Sequence, residues 1–280
     1  MTESPAQTAR RPLDPRWFQI GALSSLLGWG LLGLDFDLGG PQALVTVVTA
    51  LGTQALGDRL AGRKIELKSA AITGLSLCLL LRTDHLALAA LGALLAIASK
   101  FLIRLGGKHV FNPANFALAA LVLTTDAVWV SAGQWGATAF LGFLVVCLGL
   151  LVVQRAARAD VSLTFLAAYS GLLFGRAVWL GDPLTIPLHQ LQSGALLLFT
   201  FFMISDPKTT PSSRAGRLLF ALAVAFGTVL VQFELFRPNG LILSLVAASL
   251  ATPLLDRLLP GPRYAWEHPR PGPLPERSFA

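Results

Sequence analysis

Cysteine is nearly missing from this sequence: two residues in 280, Cys78 and Cys147, each inside an apolar stretch. That excludes a disulfide framework and a cysteine-held iron–sulfur cluster. Histidine is almost as scarce, and His85, His109, His189 and His268 never fall as a pair on one apolar segment. A haem held between two of them has no support, and no metal-binding set is read from the sequence. No HExxH, CxxC, Walker A or strand-embedded GxGxxG pattern occurs, and no polar stretch is long enough for a cytosolic nucleotide domain. Charge is also sparse, at 13% of residues against 54% hydrophobic, with a mean hydropathy of +0.65. This composition lies outside the ordinary soluble range and reads as an all-α polytopic membrane protein. Arg10, Arg11 and Arg16 are not followed by a short apolar run with a small-residue cleavage site, so the first apolar segment is expected to stay attached.

What is abundant is apolar sequence in pieces of spanning length. The stretches near 17–34, 41–60, 67–83, 85–104, 112–125, 137–155, 160–180, 190–205, 216–233 and 238–257 predict about ten transmembrane helices. Those at 67–83, 112–125 and 190–205 are short, which is tolerated where a segment packs within protein or lines a site. Of the 22 basic residues only Arg82, Arg176 and Arg237 fall on the face opposite the termini, where Asp35, Asp37, Asp84, Asp126, Asp182 and Glu234 also fall. The remainder mark the cytoplasmic face, putting both termini inside and the protein in a bacterial inner membrane. The pI of about 10.1 therefore reports topology, and nucleic-acid binding is excluded.

Two passages share an order of features. "AAITGLSLCLLLRTD" ends at Asp84 and is followed by an apolar span and then "GGKHVFNPANFALAALVL"; "SGALLLFTFFMISDP" ends at Asp206–Pro207 and is followed by an apolar span and then "FELFRPNGLILSLVAASL". An offset of five spans makes the copies inverted. The expected organisation is a cytoplasmic segment at 1–16, a first five-helix repeat at 17–125, a second at 126–257 and a flexible cytoplasmic tail at 258–280. Inverted repeats place a substrate or cofactor path at their interface, at interrupted helices.

The candidate binding residues sit at those interruptions. Asn112 before Pro113 is a helix start with free N–H groups, and Asn115 is one turn further on. Asn239 repeats the device on the outer face. Ser205, Asp206, Lys208, Thr209 and Thr210 form a polar knot where Pro207 stops a helix. Asp206 is open to three readings: accepting from a ring N–H, pairing with Lys208, or solvated at the boundary. Arg214 and Arg217 are placed to meet phosphate or lipid headgroups.

"GKHVFNPANFAL", "FFMISDPKTTPSSRAGR" and "RPNGLILSLVAASLATPLLD" resemble, in the same order, the RnfD membrane component of the Rnf electron-transport complex and the NqrB membrane component of the sodium-pumping NADH:quinone reductase, with the shorter stand-alone members of that family most similar. The resemblance implies a flavoprotein engaged in electron transport: ten helices in two inverted repeats, flavin binding (FMN or riboflavin), redox partner subunits or a membrane quinone, and coupling to sodium or proton movement. Covalent FMN in that family is carried on the threonine of a Ser-Gly-Ala-Thr motif. Here "QWGAT" ends in Thr138 with Trp135 at the serine position, so non-covalent flavin is the expectation and Thr138 the candidate for attachment. A small-solute or ion permease and a scaffold subunit of a redox complex remain as alternative readings.

Overall fold

The computed structural model describes residues 14–33, 36–131, 148–154 and 156–264. The predicted stretch at 137–155 and Thr138 lie largely or wholly outside them. In chain order the helices are α1 (Pro15–Gly33), α2 (Gly40–Leu60), α3 (Lys68–Leu80), α4 (Leu86–Leu102), α5 (Pro113–Thr124), α6 (Ala159–Leu180), α7 (Thr185–Leu191), α8 (Gly194–Leu198), α9 (Arg214–Val229) and α10 (Gly240–Leu258). Residues 148–154 are also helical. Four two-residue strands make two small antiparallel pairs: β1 (Leu81–Arg82) with β4 (Trp129–Val130), and β2 (Arg104–Leu105) with β3 (Lys108–His109).

The protein is an all-α membrane protein. Among the described residues three helices are long and apolar enough to cross a membrane: Ala159–Leu180, Arg214–Glu234 and Gly240–Leu258. Thr185–Leu191 and Gly194–Met203, bent by 52° at their break, make a fourth if both arms belong to one span. The bend falls at Ser193–Gly194, a pair that readily interrupts a helix, so the sequence segment at 190–205 is the second arm of a longer broken unit.

Helix α2 shows how such a chain folds with its polarity reversed. Its buried residues, Gln42, Thr46, Ala50, Gln54 and Asp58, recur every fourth position, while Leu44, Val48 and Leu56 face outward. A lipid surround rewards that arrangement, because buried polar groups must find partners inside the protein. They do: Gln42 Nε2 donates to the Leu81 carbonyl at 3.4 Å, the Thr46 hydroxyl to the Gln42 carbonyl at 2.8 Å, and Gln54 Nε2 to Asp58 Oδ2 at 2.9 Å.

Helix α2 packs on α3 and α4, α4 on α5, α6 on α9, and α9 on α10. Gly227 of α9 lets Ser244 of α10 approach closely, since a Cβ there would lie 3.1 Å from its hydroxyl. Two π turns end helices: Phe199–Met203 prolongs α8, and Leu230–Glu234 prolongs α9. Each delivers its chain into a polar loop, a position where π turns commonly accompany function.

Candidate functional site

The loop between α4 and α5 is shaped by Gly106 and Gly107, whose φ values of +58° and +80° form the two-residue turn joining β2 to β3. That hairpin sends Lys108 across to the second half of the chain. Its Nζ donates to Asp256 Oδ2 at 2.9 Å and to the Thr210 carbonyl at 2.5 Å. Asn112 then starts α5, its Oδ1 accepting from the Asn115 backbone N–H at 3.1 Å, with Pro113 in the first turn.

On the other side, the π turn ends at Met203 and the chain folds tightly at Asp206. The Asp206 carbonyl accepts from the N–H groups of Thr209 at 3.2 Å and Thr210 at 3.1 Å, and from the Thr210 hydroxyl at 3.0 Å. Its carboxylate accepts from the Lys208 backbone N–H at 3.0 Å and from Asn112 Nδ2 at 3.3 Å. Residues 94 apart in sequence thus meet through their side chains.

They meet on the wall of a cavity of about 280 Å³, also lined by Gln54, Asp58, Lys100, His109, Phe202, Ser205 and Lys208. Lys100 is only 6% exposed and its Nζ donates to Gln54 Oε1 at 2.6 Å and to the Ser69 hydroxyl at 3.1 Å. Through Gln54 it connects to Asp58, which is 5% exposed. Burial, then the positive charges of Lys100 and Arg104, push the His109 imidazole down to about 4, against a hydrogen bond with the Lys100 backbone. The ring is therefore neutral near pH 7, and its buried Nδ1 has no partner among the described residues. Burial also pushes the Asp206 carboxyl up, opposed by the Lys208 N–H and by the charges of Lys100, Lys208 and Arg158.

Of the residues singled out in the sequence, Asn112, Ser205, Asp206 and Lys208 all line this cavity. Asn115 does not line this cavity: its Nδ2 donates to the Ile242 carbonyl at 3.0 Å, tying α5 to α10, while its buried Oδ1 has no partner among the described residues. Thr209 and Thr210 are buried behind Asp206, and Thr210 Oγ1 accepts from Arg158 Nε at 3.2 Å. Lys208 does not pair with Asp206 through its side chain; Nζ donates to the Tyr264 carbonyl at 3.3 Å. Asn239 lies in a separate cavity of about 180 Å³ with Val130, Ser131 and Gln232. Arg217 is engaged by Asp160 at 2.6 Å and is not a free headgroup contact. Gln54, Asp58, Lys100 and His109 were missed by motif reading. Lys100 reads in sequence as one more cytoplasmic topology charge, although a lysine and an aspartate within apolar segments are themselves a signal of function.

The model of the NQR2, RnfD, RnfE family matches residues 123–264, half of the chain. The chain belongs to that family. The D component of the ion-translocating oxidoreductase complex of Erwinia tasmaniensis is 32% identical over 108 residues, covering 38% of this chain and 30% of that protein. The protein of the same description from Escherichia coli O139:H28 is 28% identical over 133 residues, covering 47% and 33%. The matches thus span about a third of the length of these curated relatives. The family match takes in the Ser205–Thr210 knot and the start of α10, whereas Asn112 and the buried Lys100 lie before its first residue.

Proposed function

We propose that this chain acts in the inner membrane as a subunit of an ion-coupled redox complex, and that its cavity at Asn112 and Asp206 holds a flavin ring non-covalently. The observation that carries the reading is the 3.3 Å contact between Asn112 Nδ2 and Asp206 Oδ2, a donor and an acceptor side by side on a polar cavity wall. The pyrimidine edge of an isoalloxazine alternates N–H and C=O groups, so it needs that alternation. Asp206 would accept from the ring N–H, and Asn112 would turn its amide to a ring carbonyl. The unused His109 Nδ1 offers a further acceptor, and Phe202 an apolar wall. Lys100 and Lys208 put positive charge at the wall, where it favours negative charge developing on a bound group. A cavity of about 280 Å³ suits a ring system more than a dinucleotide. A flavin supplies reversible electron transfer when bound; the chain's part is to hold, orient and screen it.

Two inverted five-helix repeats, 17–125 and 126–257, with both termini cytoplasmic, accompany this reading. The basic residues Arg16, Arg63, Lys64, Arg104 and Lys208 among those lining the cavity favour a cytoplasmic opening. Sodium or proton coupling, partner subunits or a quinone, and attachment at Thr138 belong to the same proposal. A scaffold role without its own flavin is favoured by the relatives' description as components of a complex and by Trp135 standing where the attachment motif has serine.

The test is a flavin titration of the protein purified gently in detergent. Saturable binding with restored visible absorption is expected, weakened roughly ten-fold or more in Asp206→Asn and Asn112→Ala by loss of hydrogen bonds to the ring. Unchanged affinity in both variants would overturn the site. No binding by the native protein favours the scaffold, and solute flux through proteoliposomes in that case favours a permease. An FMN adduct on Thr138 by mass spectrometry would replace non-covalent with covalent binding.

A further inference from the structure

The last helix ends where its outer face turns from leucine to arginine. Leu250, Leu254 and Arg257 follow at intervals of four and three, so they share one face of α10. Both leucines are more than half exposed, and Arg257, in the last turn of this spanning helix, is exposed as well. Beyond the helix, Pro260, Gly261 and Pro262 bend the chain back. Gly261 presses on a neighbouring loop: a Cβ there would lie 2.6 Å from the Ser213 backbone nitrogen. The Tyr264 carbonyl accepts from Lys208 Nζ at 3.3 Å, and the Arg158 guanidinium carbon lies 4.9 Å from the centre of the Tyr264 ring. Arg263, held from both sides, sets its Nη2 over the β2–β3 turn, 3.9 Å from the place a Cβ of Gly106 would take.

Between these parts lies a cavity of about 690 Å³, with Leu250, Leu254 and Arg257 on one side and Leu105 and Arg263 on the other. Leu105 is also more than half exposed. The wall carries three cations, Lys108, Arg257 and Arg263, against one carboxylate. That carboxylate is already satisfied: Asp256 Oδ2 accepts from Lys108 Nζ at 2.9 Å, and Oδ1 from the Ser212 N–H at 2.7 Å. Arg257 and Arg263 form no ion pair among the described residues. The carbonyl end of α10 offsets about half a charge, which leaves the wall net positive.

We propose that this cavity binds the headgroup of an anionic phospholipid, with Arg257 and Arg263 on its phosphodiester and its acyl chains along Leu250 and Leu254. Arginine matches phosphate oxygens with paired N–H groups. Basic pockets at the ends of spanning helices take anionic headgroups for the same reason. The leucine stripe separates a lipid from free phosphate, because only the lipid has chains to lay against it. A zwitterionic headgroup brings its own ammonium toward the two arginines and binds less well. The site does not rest on flavin binding, since no wall residue is shared with the cavity at Asp206.

Native mass spectrometry of the full chain tests this, with the protein released from mixed micelles holding equal amounts of phosphatidylglycerol and phosphatidylcholine of the same acyl chains. One retained phosphatidylglycerol per chain is expected, in clear excess over phosphatidylcholine. Arg257→Gln and Arg263→Gln should each lower that retention about five-fold, the worth of one basic residue beside anionic lipid. Arg59→Gln, which removes the same charge from the exposed last turn of α2, should leave it unchanged. Inorganic phosphate at millimolar concentration should not displace the lipid. Equal retention of the two lipids by the native protein, native retention in both arginine variants, an equal loss in Arg59→Gln, or displacement by phosphate would each overturn the proposal. The comparison of lipids and the phosphate competition use the native protein, and they decide the matter should either substitution unfold it.

Discussion

Asp206 and His109 face the same cavity but answer to pH in different ways. Burial raises the carboxyl while the surrounding cations and the Lys208 amide hold it back. The imidazole, by contrast, is lowered to about 4 from an ordinary 6.5. A histidine depressed on folding binds its proton in the unfolded chain first, so its contribution is complete above about pH 6.5 and is lost as pH falls toward about 4. The amount is on the order of 3 kcal/mol. Thermal melts in detergent across that window should show the decline, and His109→Gln should flatten it. Lys100 makes a separate claim on stability. Lys100→Met removes the donor to Gln54 Oε1 and Ser69 Oγ. A loss of about 1–3 kcal/mol is expected from the buried acceptors left unpaired, and Ser69→Ala in the same chain, which removes one of those acceptors, should recover part of it in the same melts.

Elements place these residues through backbone features that few side chains tolerate. Gly107, at φ +80°, closes the β2–β3 turn that carries Lys108 to Asp256. Gly107→Ala should cost about 1–2 kcal/mol, since an L side chain is strained there. Hydrogen exchange should then rise at Lys108, His109 and the amide of Ser212, which Asp256 holds at 2.7 Å. Gly240 opens α10 beneath the second π turn. A Cβ there would sit 2.7 Å from Gln232 Cγ and 2.8 Å from the Thr228 carbonyl oxygen, and the latter is backbone that cannot swing aside. Gly240→Ala should therefore destabilise by about 1–3 kcal/mol through overpacking. It should also disturb the 2.8 Å bond from the Tyr169 hydroxyl to Gln232, visible as a change in tyrosine absorbance.

Across the whole molecule, polarity is sorted inside out relative to a soluble protein. Leu32, Leu60, Leu102 and Trp179 are more than four-fifths exposed, while Asp58, Arg82, Lys100 and Arg158 are buried. Lipid around the outer surface makes both facts favourable. On the orientation proposed from the charge asymmetry of the loops, a reporter fused after residue 280 should be active in the cytoplasm. A periplasmic signal from that fusion would overturn the proposed even number of spans and the proposed inverted pairing of the halves.

Composition and periodicity determined the class of this protein on their own, because apolar runs of spanning length have few other fates in a folded chain. Local motifs were equally legible: Asn112–Pro113 starts α5, and Pro207 follows the end of the helix before it, since capping and proline act within a few residues. That Asn112 and Asp206 share a site was suggested only by the repeated pattern; their contact, and that of Lys108 with Asp256, which no pattern suggested, come from packing one half of the chain on the other. Tertiary structure alone decided that Lys100 is buried with Gln54 and Ser69, that Lys208 turns toward Tyr264, and that Arg82 keeps two N–H groups unmet. A lysine or arginine near a helix end reads the same in sequence whether its head reaches water or a buried acceptor. The difference lies in which helix covers it, and that depends on contacts between residues tens of positions apart.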